Sequence, residues 1–462
     1  MSVYLRRDTL DLILNSKFEL HCLSVKIWQD LPDGIELSGH GVIKQNKYGT
    51  LYLEFICTKT KYTMKGDLVT KFPRDRLDPS QKLLGEFISL NGTKFTSEGF
   101  SIEVNAFNCE SPHILHTQLP FITFVEDRLS DSRENYLYYE FAESLHIPAN
   151  VSNSRTSSST KSESHCWNET LIELDNFKIR INDEKNHRMV RVDGNFEPDD
   201  LYDCINFYIG FSGGVLPQPY VVIKHIDDKI ISTIKSINNQ NTHKRSSNPI
   251  PEKIVLSGEK KAESKHSYEF FRKIYEIHQV KRNYFNSIYG QWIQVWHGFQ
   301  TKNSIAELVL SVAIEGMLND IYIPVFKRNR IDPLLVSDID KIKYLIKDMD
   351  MSGNHKQRLI GSVSYWKNIT VSKALDILTD EGVIGENDKK IWSELRNEAA
   401  HPQVKNIDIL QQQIKRDKML QCLNLFHKLV LNVVEYTGPV YIFSMDKDTP
   451  VELIRYKDVL AD

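Results

Sequence analysis

A change of periodicity near the middle of the chain constrains the fold more than any other feature of the sequence. Before the polar stretch NNQNTHKRSSNPIPEK, short alternating or aromatic-rich runs such as TLYLEFICT and YLYYEFA recur between turn signals. Such runs predict β-strands with one buried face. After that stretch, runs such as SIAELVLSVAIEGMLNDIY repeat apolar residues at helical spacing, which predicts amphipathic helices. The sequence therefore predicts an α+β protein.

The same patterns divide the chain into four segments, because a chain of 462 residues is too long for one compact core. Residues 1–236 are predicted to form a β-rich sensor or regulatory domain, sandwich- or barrel-like in its spacing of strands. Residues 237–253 are predicted to be a linker, 254–438 an α-helical bundle, and 439–462 a C-terminal β-hairpin tail. Gly438 and Pro439 are predicted to end the last helix.

Two segments of the β-rich half depart from the strand pattern. The stretch SNSRTSSSTKSES is of low complexity and is predicted to be a flexible loop. The stretch YIGFSGGVLPQP contains a glycine cluster but lacks the GxxxxGK[ST] spacing of a phosphate-binding loop, so it is predicted to be a bend.

Composition limits the classes of function. The formal net charge of −3 predicts no long-range attraction to nucleic acid, so a phosphate site must be a local patch. No run of about 18 apolar residues is evident, and Asp8 and Asp11 interrupt the N-terminal apolar stretch, which argues against a membrane span or an export signal. The six cysteines form no CxxC pair. We therefore expect a cytoplasmic protein with reduced thiols, without a metal site or other cofactor.

The stretch SELRNEAAHP decides whether the chain is an enzyme. Arg396 and His401 are five positions apart, Asn397 follows the arginine, and Pro402 follows the histidine. Spacing alone is weak, because chance predicts roughly two Arg-x4–6-His matches in such a composition. The chain contains three. An ordinary solvated helix end is the alternative interpretation of this stretch.

Helix geometry determines how these residues can act together. Arg396 and His401 are about 140° apart on an ideal helix, on opposite flanks of its apolar stripe, so they do not converge within one regular helix. Asn397 and His401 share a face because they are four residues apart. Pro402 pushes His401 away from α geometry. Either this freedom or a second copy of the chain would complete a site. The apolar stripe is formed by Ile391, Trp392, Leu395 and Ala399.

A helical bundle that carries Arg-Asn-x-x-x-His just before its last long helix resembles the HEPN superfamily of ribonucleases. The resemblance covers roughly residues 267–436 and places Arg396, Asn397 and His401 on the active-site signature. The β half, around VKIWQDLPDGIELSGHGVIKQNKYGTLYLEF, is loosely similar to the N-terminal domain of ApeA-type anti-phage proteins. The resemblance implies a dimer, at least, through the helical domain. It also implies abortive infection by RNA cleavage, with transfer RNA one candidate substrate and a phage-derived protein as trigger.

RNA carries its own nucleophile, the 2′-OH, so a metal-free site needs proton transfer and charge stabilisation. A histidine exchanges protons near neutral pH, and an arginine can grip two phosphate oxygens. The expected products are a 2′,3′-cyclic phosphate and a 5′-OH. Glu315, in the first core helix, is a candidate for orienting Arg396, with a surface glutamate as the alternative.

Further candidates for RNA contact are cationic or aromatic residues of the helical half. Each of them also fits a core or a solvated surface position. Two other functions stay open: a catalytically inactive HEPN-like dimerisation module with a ligand- or protein-binding β domain, and a nucleotide-binding target of modification. The cations are Lys327, Arg328, Arg330, Lys415, Arg416 and Lys418, and the aromatic residues are Trp296, Tyr365 and Trp366.

Overall fold

The chain divides into two compact units in the computed structural model. The β unit comprises residues 1–209 and 215–244, and the helical unit comprises residues 210–214 and 245–462. The structure describes residues 5–31, 34–60, 82–102, 113–127, 135–143, 147–156, 161–165, 168–238, 244, 246–255, 262–301, 303–329, 333–400, 408–445 and 450–460.

The β unit is built on one antiparallel sheet of thirteen strands, in the order β11-β12-β13-β8-β14-β15-β7-β5-β4-β1-β2-β3-β6. The strands of the β unit, of which β9 and β10 lie outside this sheet, are β1 (Glu19–Gln29), β2 (Glu36–Gln45), β3 (Leu51–Thr60), β4 (Leu83–Ser89), β5 (Lys94–Phe100), β6 (His113–Leu119), β7 (Phe121–Asp127), β8 (Asn135–Phe141), β9 (Ser152–Thr156), β10 (Lys161–His165), β11 (Glu169–Glu173), β12 (Phe177–Asp183), β13 (Arg188–Gly194), β14 (Val221–Ile226) and β15 (Lys229–Lys235). Its helices are α1 (Arg7–Leu14) and α2 (Pro198–Gly213), and the last four residues of α2 fall in the helical unit.

Alternation of apolar residues sets the buried face of these strands. In β1, Leu20 and Cys22 are buried, two exposed residues follow, and Val25 and Ile27 are buried again. The interruption coincides with a register shift against β2 between Cys22 and Val25. A β-bulge of this kind turns the strand without losing its buried face. The end strand β6 comes close to β5, so the sheet curls around a core that includes Phe55.

The predicted α+β class is confirmed: a large antiparallel sheet is followed by helices and a terminal two-stranded hairpin. Two local predictions in the β half are wrong. The serine-rich stretch is not a loop, because β9 and β10 pair within it as a separate antiparallel hairpin. The glycine cluster is not a bend at its start, because α2 continues to Gly213 and ends before Gly214, whose φ is +63°. Most residues of α2 are themselves buried, so the helix lacks the amphipathic period that marks a surface helix.

The helical unit contains nine α-helices and two short hairpins among its described residues. The helices are α3 (Lys265–Val280), α4 (Arg282–Phe299), α5 (Asn303–Met317), α6 (Ile323–Asn329), α7 (Pro333–Asp348), α8 (Gly353–Tyr365), α9 (Val371–Asp380), α10 (Glu386–Ala400) and α11 (Ile409–Val433). A π-helical turn (Leu318–Tyr322) joins α5 to α6. The hairpins pair β16 (Ile254–Val255) with β17 (Ala262–Glu263), and β18 (Gly438–Tyr441) with β19 (Val451–Ile454).

The last helix ends earlier than the sequence predicts. It stops at Val433, and Glu435 adopts a left-handed φ of +58°. Gly438 does not end the helix but begins β18. A Cβ atom at Gly438 would lie 2.4 Å from the Tyr436 hydroxyl, so glycine is required there by close approach.

The short segment 210–214 belongs to the core of the helical unit. Trp296 donates its indole N–H to the Gly214 carbonyl at 3.2 Å. The ring of Phe211 lies 5.6 Å from that of Phe270. A Cβ at Gly210 would lie 2.3 Å from the Trp292 ring, so the helix packs closely only because this residue is glycine.

The helix from Ser304 to Asn329 has a mean hydropathy of 1.5 over its most apolar window and is long and apolar enough to cross a membrane by those two criteria. This differs from the expectation that no segment would qualify. The protein buries 56% of that window, and core helices of soluble proteins meet the same criteria. Its π turn is anchored by Tyr322, whose buried hydroxyl donates to the Leu429 carbonyl at 3.0 Å.

Candidate active site

Helix α10 presents the predicted motif, and its sequence explains its position. Asp388 accepts a hydrogen bond from the backbone N–H of Gly385 at 2.7 Å, just before the helix begins, and a carboxylate in the first turn also suits the helix dipole. Trp392 and Leu395 are buried. The Trp392 indole N–H donates to the Ser311 carbonyl of α5 at 3.2 Å. These contacts fix the rotation of α10, and with it the direction of the motif.

The structure brings Arg396 and Glu315 together. The Nε of Arg396 donates to one carboxylate oxygen at 2.9 Å, and Nη2 donates to the other at 3.4 Å. The two side chains are 45% and 30% exposed. The guanidinium carbon lies 5.9 Å from the centre of the Trp392 ring, within the range of a cation–π contact. The guanidinium plane is therefore held on two sides while part of it faces solvent.

Asn397 is exposed next to Arg396 on α10. His401 and Pro402 lie outside the described residues, which resume at position 408. The predicted apolar stripe of α10 is correct at Trp392 and Leu395, which are buried. Its other two members, Ile391 and Ala399, are half-buried.

The flank of α10 away from Arg396 carries a cluster of ion pairs. Lys418 of α11 lies 2.8 Å from Glu394 and 3.0 Å from Glu398. The hydrogen bond from Lys418 lowers the pKa of Glu394, and the same carboxylate raises the pKa of Lys418. Glu394 and Glu398 are each two positions from Arg396, about 160° away on an ideal helix, so the carboxylate that contacts Arg396 is Glu315, which offsets its charge.

The cations predicted on α11 differ in their contacts. Lys415 lies 2.7 Å from Glu307 of α5, a carboxylate only 2% exposed. This contact is an ion pair by distance, without hydrogen-bond geometry. Since Lys418 is also held by carboxylates, Arg416, which is exposed, is the predicted α11 cation that no described carboxylate contacts.

Two of the predicted cations of the FKRNR segment lie at the C-terminal end of α6. Lys327 and Arg328 are exposed in the last turn of that helix, where positive charge also suits the helix dipole. Arg330 lies outside the described residues. Among the described residues, Lys327 makes no hydrogen bond or ion pair with an α11 side chain.

The three aromatic candidates separate into one core residue and two surface residues. Trp296 is 1% exposed and belongs to the core of the helical unit. It is therefore not available for base stacking, contrary to that candidate role. Tyr365 and Trp366 are 71% and 52% exposed, so both rings can meet a ligand.

The first of the other two Arg–His matches is not assembled as a pair. Arg180 lies in β12 and contacts Glu169 at 3.2 Å. His187 lies in the turn after β12, and its Nε2 is 3.1 Å from Nη1 of Arg7. The two members of the match therefore serve different contacts.

The second match lies on α3. Arg272 is 46% exposed and lies 3.8 Å from Glu269. His278 is 2% exposed, and its ring packs edge-on against Phe285 at 4.8 Å. An arginine at the surface and a histidine in the core cannot meet one substrate.

The apolar residues of α5 that the sequence shows at helical spacing include an exposed stripe. Ile305, Leu308 and Val312 are 48%, 43% and 51% exposed. They lie within about 80° of Glu315 on an ideal helix, while the opposite side of α5 is buried. The available signal was the wide apolar circumference of SIAELVLSVAIEGM, which exceeds the single stripe that a surface helix needs.

The β unit contains a cleft of about 660 Å³ beside β3, β5 and β6. Polar side chains that line it include Asn46, Tyr52, Lys82, His116 and Gln118. Its volume is in the range of small-ligand sites. Among the described residues of the whole chain, no group of three His, Cys, Asp or Glu side chains is placed to hold a metal ion.

Comparisons of the chain with protein-family models, curated proteins and solved structures find no match. The chemistry of the site therefore has to follow from its side chains, beginning with Arg396. Arg396 uses two of its five N–H groups on Glu315, which leaves three for another acceptor. A phosphate oxygen is the acceptor that suits a planar guanidinium best.

Proposed function

We propose that the protein is a metal-independent endoribonuclease that acts in anti-phage defence by abortive infection. Arg396, Asn397 and His401 form its active site, and RNA, with transfer RNA one candidate, is its substrate. The 2′-OH attacks the adjacent phosphorus, the 5′-oxygen leaves, and the products are a 2′,3′-cyclic phosphate and a 5′-OH. The observation that carries the proposal is the partly exposed Arg396 guanidinium, oriented by Glu315 with three N–H groups unused.

The residues of the motif have distinct roles in this reaction. His401 removes the proton from the 2′-OH and returns a proton to the leaving oxygen, directly or through its partner copy. Arg396 donates to the non-bridging oxygens, where charge increases in the transition state. Asn397, exposed beside Arg396, donates its amide N–H to a phosphate oxygen or orients the imidazole. Glu315 acts through Arg396 as a positioning residue.

A dimer completes this site in the proposal. Arg396 and His401 point about 140° apart if α10 continues as a regular helix, so each arginine would work with the histidine of the other copy. The exposed stripe of Ile305, Leu308 and Val312 supports a second copy as the occupant of this face. Exposed apolar patches beside a polar site are typical of protein interfaces.

The β unit controls the helical unit in the proposal. It would recognise a phage-derived protein or peptide, and the cleft beside β3, β5 and β6 is the described feature that fits a ligand. Binding there would favour the active arrangement of the dimer.

RNA cleavage with analysis of the ends tests the enzymatic proposal. The parent protein is incubated with total RNA and with transfer RNA, with and without a chelator of divalent metals. Cyclic phosphate and 5′-OH ends are expected in both conditions. His401→Ala should lower the rate by about 10² or more, whereas Arg272→Ala, an exposed arginine of a second Arg–His match, should not. Equal cleavage by the His401→Ala protein would reject the proposal.

Sedimentation analysis tests the dimer. Leu308→Arg places a charge in the exposed α5 stripe and should convert the dimer to a monomer with loss of cleavage. Leu23→Arg, at a leucine of β1 that is 60% exposed, is the matched control and should stay dimeric and active. A Leu308→Arg protein that is monomeric and fully active would show that the site works within one chain.

A catalytically inactive HEPN-like dimerisation module is the second candidate. The observation that favours it is the ion pair between Arg396 and Glu315, which has no net charge to attract a phosphate. In this case the α5 stripe would still drive dimerisation, and the β domain would bind a ligand or protein. Dimerisation without any RNA cleavage, under conditions that activate defence in cells, would select this function.

A further inference from the structure

The hairpin of α7 and α8 contrasts with the rest of the helical unit in how little it buries. Its core consists of Ile339, Ile346 and Val363. In α8, only Val363 is buried. The remaining surface of α8 is open to solvent or half-open. Because most residues of α8 are not buried, the surface of this helix is accessible to a partner.

Charge is distributed unequally between the two helices. On α7, Lys341 lies 3.1 Å from Asp338 and Lys343 lies 3.7 Å from Asp340, so its cations are neutralised within the helix. The sequence from position 351 to 375 contains four cations and no aspartate or glutamate. An uncompensated set of cations attracts polyanions far more than the net charge of the protein suggests.

The cations of α8 and of the turn after it differ in their contacts. Lys356 donates to the Lys347 carbonyl at 2.7 Å and so caps the end of α7. Arg358 and Lys367 are exposed, and no carboxylate in the described part of the chain contacts either of them. Arg358 lies within α8, and Lys367 lies in the turn two residues after the helix ends at Tyr365.

Aromatic rings accompany these cations. Tyr365 and Trp366 are 71% and 52% exposed at the C-terminal end of α8. On an ideal helix Arg358, Tyr365 and Trp366 lie within about 100° of one another. Rings that stack bases, next to cations that follow a phosphate backbone, are the combination that binds single-stranded nucleic acid without sequence preference.

We infer that the exposed side of α8 with Arg358 and Tyr365, together with the turn after it that carries Trp366 and Lys367, is the surface on which the protein holds single-stranded RNA. This inference rests on the proposed ribonuclease function, and it supplies what the surroundings of Arg396 lack. Because Glu315 offsets the charge of Arg396, attraction for the RNA backbone has to come from elsewhere. The α7–α8 hairpin lies in the chain between α6, which continues from the helix of Glu315, and α9, which contacts α10.

Salt-dependent binding tests this inference on the full chain. His401→Ala is used as the background so that the probe, a fluorescent unstructured oligouridylate, is not cut during the measurement. Fluorescence anisotropy gives the affinity between about 50 and 200 mM salt. Arg358→Gln with Lys367→Gln should lower the slope of log affinity against log salt by about 1.4, since each phosphate contact in single strands contributes about 0.7.

Ring removal should have a different signature. Tyr365→Ala and Trp366→Ala should each weaken binding by about ten-fold without changing the slope, because stacking releases no counterions. Tyr365→Phe and Trp366→Phe keep the rings and should retain most of the affinity. Lys341→Gln with Tyr344→Ala, on the charge-neutralised α7, is the matched control and should bind as the background protein does.

The outcomes separate this inference from the proposed function. Unchanged affinity and slope in all α8 variants overturn it, even if the parent cuts RNA. Loss of cleavage in an otherwise parental chain carrying the α8 changes, with normal oligouridylate binding, also overturns it and assigns the surface to a protein partner. Binding that depends on α8 in a parent that cuts no RNA supports the surface and rejects the ribonuclease.

Discussion

Each unit contains an arginine paired with a carboxylate, and the two pairs differ in their surroundings. In the β unit, Nη1 of Arg7 is 3.0 Å from both carboxylate oxygens of Glu140, whose side chain is 0% exposed. In the helical unit, Arg396 contacts Glu315 at the surface, and the two side chains are 45% and 30% exposed. In the first pair the carboxylate is fully buried and the arginine is 40% exposed, whereas in the second both partners are partly exposed and the arginine has three unused N–H groups.

Two tyrosines complete the buried pair. The hydroxyls of Tyr138 and Tyr220 both donate to Glu140. Burial, followed by the negative charge of Glu140, raises the pKa of both hydroxyls far above its ordinary value. A carboxylate with every oxygen engaged has no capacity for a ligand, so its contribution is to hold helix α1 against β8 and β14 through Arg7. The difference teaches that an arginine–carboxylate pair indicates a site only where its donors remain accessible.

The largest expected effect is on the buried pair. Glu140→Ala leaves two tyrosine hydroxyls without their acceptor and leaves Arg7 with Asp11 as its remaining carboxylate partner, and we expect the free energy of unfolding to fall by about 4 kcal/mol. Arg7 is 40% exposed, which keeps the loss below the upper end of the usual range. Urea denaturation measures it. Glu315→Ala should change the same quantity by less than about 1 kcal/mol, and similar losses in both variants would abolish the distinction.

A third carboxylate sharpens the comparison through pH. Glu143 is 1% exposed, and its Oε2 has no hydrogen-bond partner among the described residues. Its Oε1 accepts from Gln218 at 3.4 Å. Burial raises the pKa of Glu143 to about 7, above its value of about 4.3 in an unfolded chain.

The folded state therefore favours the protonated form of Glu143. Its contribution to stability is complete below the unfolded pKa and is lost as the pH rises through about 7. Between about pH 4 and pH 8, the parent should lose about 3 kcal/mol relative to Glu143→Gln, which cannot ionise. Parallel stability curves for the two proteins would show that this carboxyl is solvated.

At the exposed pair the expected effect is on rate. Arg396→Ala should lower RNA cleavage by about 10² or more while changing the free energy of unfolding by less than about 1 kcal/mol. Arg396→Lys should recover little activity, because an ammonium group cannot donate in parallel to two phosphate oxygens. Single-turnover cleavage together with urea denaturation measures both quantities. Full activity in the lysine variant would mean that charge alone suffices.

The smallest effect should come from Glu315→Gln. The amide keeps the shape of the carboxylate and one acceptor oxygen, so the guanidinium stays nearly in place. We expect kcat to fall by no more than about five-fold, because an exposed ion pair contributes less than about 1 kcal/mol. The pH profile of kcat should keep its parental shape. A loss as large as that of Arg396→Ala, with a changed profile, would give Glu315 a role in proton transfer.

Periodicity predicted the order of sheet, helices and terminal hairpin because most elements here bury one face. It failed where that condition does not hold. Helix α2 is buried on all sides from Cys204 to Gly213, so these residues show no helical period, and its glycines looked like a bend. The hairpin of β9 and β10 pairs backbone to backbone in a serine-rich sequence, and no apolar pattern marks such pairing.

The site was predictable where it depends on one helix and unpredictable where several helices meet. The exposed positions of Arg396 and Asn397 follow from the buried stripe that includes Trp392 and Leu395. Lys415 and Lys418 looked like free cations, but their carboxylate partners come from α5 and α10. Such pairings arise only when distant segments of the chain pack together, which a single sequence does not reveal.

The five residues 210–214 have a consequence for inheritance. They are separated in sequence from the rest of the helical unit, yet Gly214 accepts the indole N–H of Trp296 and Phe211 packs on Phe270. A recombination event at a single point near residue 244 would transfer the helices without this part of their core. An exchange of the helical unit between related chains would therefore have to include residues 210–214.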